Sequence, residues 1–202
     1  EAPFSKDENL GWLTARPVLA GSGLQLAYRM HLPMLSMMQQ IKGISEGLGK
    51  EQLFELRTTP GQAEKNPAAL FTLSSMFNAY GNTEKLTQSA LNKSRELDRK
   101  EANLRDKILV RSARSTYVDQ VWRAYGVLKY ARRLTEQEFL SLWSKLRLGV
   151  LSGLIPLPLE TVDNMCGKTS KTALQGMLET ARDDHALHFL RADIVRAELN
   201  GG

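Results

Sequence analysis

Between Leu24 and Gly43, apolar residues recur at spacings of three and four, at Leu26, Met30, Met34, Met37 and Ile41, which predicts a helix. Pro33 conflicts with that reading and would kink the helix or mark its first turn. The clustered methionines, Met30, Met34, Met37 and Met38, read as adaptable core filler. In "EQLFELRTT" the period falls to two through Leu53, Glu55 and Arg57, and "AALFTLSSMF" alternates likewise at Leu70, Thr72 and Ser74. Both predict strands. The Pro- and Gly-bounded loop "PGQAEKNP" between them suits an antiparallel connection, and "GWLTARP" is a candidate third strand.

From "YGNTEKL" onward, with Thr83 as N-cap, the pattern is helical, over about 83–113, 115–131, 135–149, 158–179 and 182–200. Thr135 and Glu138 form a capping box, and Pro158 stands in the first turn of its helix. The expected organisation is therefore an α+β part, 1–82, followed by an all-helical part, 83–202. Two or three strands do not make an independent sheet with both faces covered. The missing strands are expected from a longer chain or from another polypeptide.

Composition narrows the class. The chain has 202 residues and a formal net charge of +5. The basic stretch over residues 92–114 interleaves Lys and Arg with acids and holds no aromatic residue. That pattern reads as a solvated helix face with i,i+4 pairs, and nucleic-acid binding is not expected. The single Cys166 excludes an internal disulfide, and a reducing, cytoplasmic setting follows. "EAPFSKDENL" has neither a basic n-region nor an apolar core, so no secretory leader is expected, and no apolar run suits a membrane span.

Local motifs carry little chemistry. "CGKTSKT" holds a GKT, but Val162 stands where a phosphate loop needs its first glycine. His31, His185 and His188 have no partners at metal-ligand spacing, and no G-x-S-x-G elbow is present. Cys166 reads as an inert buried thiol.

Three blocks together carry a resemblance. "GWLTARPVLAGSGLQLAYRMHLPML", "LFELRTTPGQAEKNPAALFTLSS" and "VDQVWRAYGVLKYARRLTEQEFLSLWSKLRLGVLSGLIP" resemble, in order and spacing, the second half of ATP:guanidino phosphotransferases. "MHLP", "RAYGVL" and "KLRLGV" resemble most closely the bacterial branch, the protein-arginine kinases, which mark proteins for Clp-type proteolysis. The resemblance implies an α+β fold: a partial antiparallel sheet with flanking helices, the C-terminal half of a guanidino-kinase catalytic domain, followed by a C-terminal all-helical domain. It also implies that the first half of the family's catalytic domain has no counterpart in this sequence.

Guanidino phosphoryl transfer works chiefly by positioning and charge stabilisation. Under the resemblance, the position of the family's reactive cysteine falls at Arg16, and the guanidinium-gripping carboxylates fall at Gln62 and Lys65. The phosphate-binding arginine after the Gly-x-Gly falls at Gln25. Arg57, Gly21 and Gly23 keep the expected type on the nucleotide side. On the C-terminal helix, a phosphoarginine-reading motif falls at Leu187, His188 and Arg191, with Arg191 alone keeping a cation; the competing reading puts Arg191 and Arg196 on a solvated face.

The expectation is a catalytically degenerate, pseudokinase-like protein with vestigial ATP binding. No cofactor is assigned, and ATP with Mg would be needed only if the family activity survives. A protein partner is expected (an active kinase, a Clp component or a client), and the resemblance also implies a homodimer. The competing reading is an active ATP-dependent protein-arginine kinase whose missing catalytic residues lie upstream or on a partner chain.

Overall fold

The computed structural model describes residues 6–8, 11–12, 26–51, 53–59, 66–75, 83–110, 114–177 and 184–201. The chain divides into two compact units, one of Glu1–Gly61 with Ala69–Leu104, the other of Gln62–Ala68 with Arg105–Gly202.

In the first unit β1 (Lys6–Asp7) and β2 (Gly11–Trp12) form a short antiparallel ribbon. "GWLTARP" therefore does not add a strand to the main sheet through Gly11 and Trp12. That sheet comes from β3 (Ala27–His31), β4 (Phe54–Thr58) and β5 (Leu70–Ser75), antiparallel throughout and ordered β3-β5-β4. The strands predicted from period-two alternation are β4 and β5. The predicted helix over 24–43 is corrected: it splits into β3, a short α1 (Pro33–Met37) and α2 (Ile41–Glu51).

The reason lies in parity. Leu26 and Met30 satisfy a spacing of four, but with Tyr28 and Leu32 they also lie on one face of an extended strand. Pairing along all of β3, from Ala27 opposite Ser74 to His31 opposite Leu70, decides for the strand. Pro33 then starts α1, where its missing N–H costs nothing.

Met30, Leu32, Phe54, Leu56, Phe71 and Leu73 form one cluster with Leu48 of α2 and with Leu86, Ala90 and Leu97 of α3 (Thr83–Val110). α3 also supplies Glu101, only 6% exposed. Its carboxylate accepts hydrogen bonds from the backbone N–H groups of Met34, at 2.8 Å, and Leu35, at 3.0 Å. Because Pro33 has no N–H, these are the first free donors of α1, and an anion there also suits the helix dipole.

The second unit is helical: the last turn or two of α3, then α4 (Arg114–Tyr130), α5 (Glu136–Leu151), α6 (Leu159–Lys168), α7 (Lys171–Met177) and α8 (Asp184–Asn200). The helix predicted over 158–179 is broken at Thr169 and Ser170, where the Thr169 hydroxyl bonds back to the Met165 carbonyl at 2.7 Å. Thr135 accepts from the Glu138 N–H at 3.2 Å, so half of the expected capping box is formed. The indole N–H of Trp143 donates to the Val162 carbonyl at 2.7 Å, and Arg147 grips Asp163 with two nitrogens, fastening α5 to α6. α5 packs against α4 at Gly149, where an added Cβ would collide with Val121 Cγ1.

Two outcomes follow for stability. Glu101→Ala strands two buried donors and is expected to lower the unfolding free energy by about 2–5 kcal/mol in denaturant titration; a change below about 1 kcal/mol would show that the carboxylate holds nothing. Gly149→Ala is expected to cost about 1–3 kcal/mol through overpacking. Adding Val121→Ala should recover part of that loss, and strict additivity of the two substitutions would refute the contact.

Candidate functional site

Residues opposite one another in the two ladders stand in rows across the sheet. Thr72 on central β5 is the register partner of both Arg29 on β3 and Arg57 on β4. Strand alternation sends Met30, Phe71 and Leu56 into the core and turns Arg29, Thr72 and Arg57 to the opposite face. Two guanidinium groups thus share one row on the face opposite the cluster formed with α2 and α3.

Arg57 is 75% exposed, and its Nη2 lies 2.7 Å from Glu55 Oε2. The Ser74 hydroxyl donates to the other Glu55 oxygen at 3.2 Å. The hydroxyls of Thr59 and Thr72 share a hydrogen bond of 3.1 Å. Glu55 therefore orients Arg57 through one nitrogen and leaves the rest of the fork toward solvent, a disposition suited to a bidentate oxyanion. Among the residues expected on the nucleotide side, Arg57 is described; Gly21, Gly23 and Gln25 lie outside the described residues, as do Arg16, Gln62 and Lys65. Arg29, exposed beside Thr72, was not singled out from the sequence. Its signal was the alternation in "AYRMH", masked by the stronger three-and-four spacing around it.

The second unit buries its arginine. Arg191 on α8 is 2% exposed, which corrects the reading of a solvated face. Nε donates to the Thr169 carbonyl at 3.1 Å and Nη1 to the Leu134 carbonyl at 3.0 Å. Nη2 points toward Glu136 Oε2 at 3.9 Å. The guanidinium thereby ties the end of α6 and the α4–α5 connection to α8. Burial lowers its pKa, against the opposing pull of Glu136 and Asp184.

His188, one turn before it, gives its backbone carbonyl to Leu134 N–H, while its Nδ1 is buried without a partner among the described residues. Burial, and then Arg133 and Arg191, push its pKa below the ordinary 6.5. His185 stacks edge-on to it at 6.0 Å. Cys166 is only partly buried on α6, short of the fully buried thiol expected. "CGKTSKT" is helical except at the Thr169–Ser170 break, so it presents no phosphate loop.

Arg191→Met leaves two buried carbonyls without donors and is expected to destabilise the protein by about 3 kcal/mol in chemical denaturation. A near-neutral effect would contradict the buried-staple geometry. For His188, the unfolded chain binds a proton more readily than the folded one, so stability falls as pH drops through the unfolded pKa near 6.5 and levels off below the folded value. His188→Gln is expected to flatten stability against pH between about 7 and 5. Superimposable slopes for the two proteins would count against the desolvated Nδ1 of His188.

The comparisons with known proteins agree with this architecture. The description "ATP:guanido phosphotransferase, C-terminal catalytic domain" matches residues 1–104, and "Protein-arginine kinase McsB C-terminal domain" matches residues 114–201. A protein-arginine kinase of Pelotomaculum thermopropionicum is 27% identical over 197 residues, covering 97% of this chain and 55% of that protein. One of Caldanaerobacter subterraneus is 23% identical, with 98% and 58% covered. One of Syntrophomonas wolfei is 29% identical over 203 residues, with 100% and 56% covered. The chain thus spans a little over half the length of these curated relatives. With a catalytic-domain match over its first 104 residues and protein-arginine kinases similar along nearly its whole length, the chain belongs to the ATP:guanido phosphotransferase family.

Proposed function

We propose that the chain is a catalytically degenerate relative of the protein-arginine kinases. In this reading it acts as a cytoplasmic binding or regulatory protein, linked to Clp-type quality control through a protein partner: an active kinase, a Clp component or a client. The observation that carries the reading is the pattern of charge at the positions matching the family's reacting groups. Arg16 replaces a thiolate, Gln62 and Lys65 replace carboxylates, and Gln25 replaces a phosphate-binding cation. A guanidinium brought to that place meets Arg16 in place of the thiolate, and Gln62 and Lys65 in place of the acids that would orient and deprotonate it. One lost preorganised group commonly lowers turnover by about 10²–10³, and several are lost together.

Retention is confined to positions that shape the backbone, Pro17, Gly21, Gly23 and Gly61, and to Arg57. Arg57 already shares its charge with Glu55, which supports a scaffold kept for binding. Arg191 belongs to that scaffold: its nitrogens hold main-chain carbonyls together inside the helical unit. No helix among the described residues is long and apolar enough to cross a membrane.

The test is phosphoryl transfer from ATP with Mg to free arginine and to a denatured protein substrate, followed by acid-labile radiolabel. No transfer above background is expected. Transfer that disappears in Arg57→Ala would refute the degenerate reading.

A further inference from the structure

The buried side of α4 runs through Tyr117, Val121, Ala124 and Leu128, at spacings of four and three, and packs against α5 and α8. A second row, Trp122, Gly126 and Tyr130, recurs at intervals of four on a side turned to solvent. Trp122 is 47% exposed and Tyr130 73%. Tyr125 stands beside this row, its ring edge-on to that of Trp122 at 5.9 Å. The Lys129 ammonium lies over the Tyr125 ring, 5.6 Å from its centre. Gly126 is thus the floor of a hole walled by Trp122, Tyr125 and Lys129. These are the i, i+3, i+4 and i+7 positions between which a neighbouring helix inserts a side chain.

Packing does not call for that glycine: a Cβ added at Gly126 meets nothing within 4 Å. A glycine inside a helix weakens it, so the gap costs α4 stability and serves no contact among the described residues. The surroundings of the hole are cationic. Arg123 is paired with Asp119, but Lys129, Arg132 and Arg133 have no carboxylate within ion-pair distance among the described residues. Glu136, close by in sequence, turns to Arg191 instead.

We propose that this face of α4 docks an acidic amphipathic helix of a protein partner, which sets an apolar side chain into the hole over Gly126 and its carboxylates against Lys129, Arg132 and Arg133. Trp, Tyr and Arg are the residues that dominate binding at such contacts, and opposite charge at the rim selects the partner. A second copy of this chain fits the face poorly. In a twofold contact crossing at Gly126, antiparallel helices would set Lys129 beside Arg123, and parallel ones would set each cation against itself. A nucleic-acid strand fits poorly as well, because Lys129 covers a face of Tyr125 and the cations gather at one end of the helix without forming a track. The inference rests on the proposed binding role, to which it adds the chemistry of the partner; the contact itself needs no catalytic group.

Fluorescence anisotropy with the full chain at low salt tests it, using a labelled amphipathic helical peptide of leucine and glutamate as probe. The peptide is expected to bind at least about tenfold more tightly than its lysine-for-glutamate counterpart, and serine in place of its leucines should abolish binding. Trp122→Ala and Arg132→Glu should each weaken binding about tenfold. Gly126→Leu should weaken it at least about tenfold while leaving Tm unchanged or higher, because leucine fills the hole and is the better helix former. Lys42→Ala, on α2 with its side chain 88% exposed, should change nothing.

Unchanged affinity in Trp122→Ala and Gly126→Leu, with helicity retained by circular dichroism, overturns the proposal. So does equal affinity for the lysine peptide, or an equal loss in Lys42→Ala. Oligothymidylate bound more tightly than the glutamate peptide, or a dimer in sedimentation that Gly126→Leu dissociates, gives the face to another occupant and overturns it too. Phosphoryl transfer to arginine together with Trp122-dependent peptide binding would remove only the degenerate reading. Absent transfer with absent peptide binding would remove only the docking surface.

Discussion

Glu101 reaches from α3 to the first two free N–H groups of α1, and much of the first unit follows from that grip. The carboxylate ends β3 at a fixed point by capping the helix that begins at Pro33. β3 is thereby fixed with its Tyr28–Met30–Leu32 side toward α3 and the hydrophobic cluster. Once that side is buried, strand alternation leaves no choice for the other. Arg29 and the residues in register with it must face outward. A buried carboxylate thus decides, through two amide hydrogen bonds, which face of a small sheet carries charge.

The fate of individual guanidinium groups separates structure from function in this protein. Arg191 is sealed in the helical unit, where its fork replaces donors that main-chain carbonyls of Leu134 and Thr169 would otherwise lack. Arg57 stands in the open, steered by one carboxylate oxygen and otherwise accessible. The first is held by desolvated hydrogen bonds and stabilises a fold; the second is largely solvated and contributes little to stability.

Much of the fold was legible where one period dominated. Alternation through Leu53–Arg57 and Leu70–Ser74 marked β4 and β5, and the long helical patterns became α3, α4, α5 and α8. The failure at 24–43 came from residues that satisfy two periods at once, because every fourth position is also an even one. Thr169 hid another break: its hydroxyl bonds to the Met165 carbonyl and ends α6 in a stretch whose apolar spacing runs on. Of the candidate site, Arg57 could be named from its match to the family, whereas Arg29 could not, since only its pairing with β5 gives it a face.

By itself, the sequence determined the family and the α+β class, because these reside in residue identity and in spacing along the chain. The tertiary structure decided which strand completes the sheet, which arginine is buried and which two arginines share a row. Those outcomes depend on pairing between segments dozens of residues apart, and on whether a charged group finds buried carbonyls or water. Local pattern holds neither quantity.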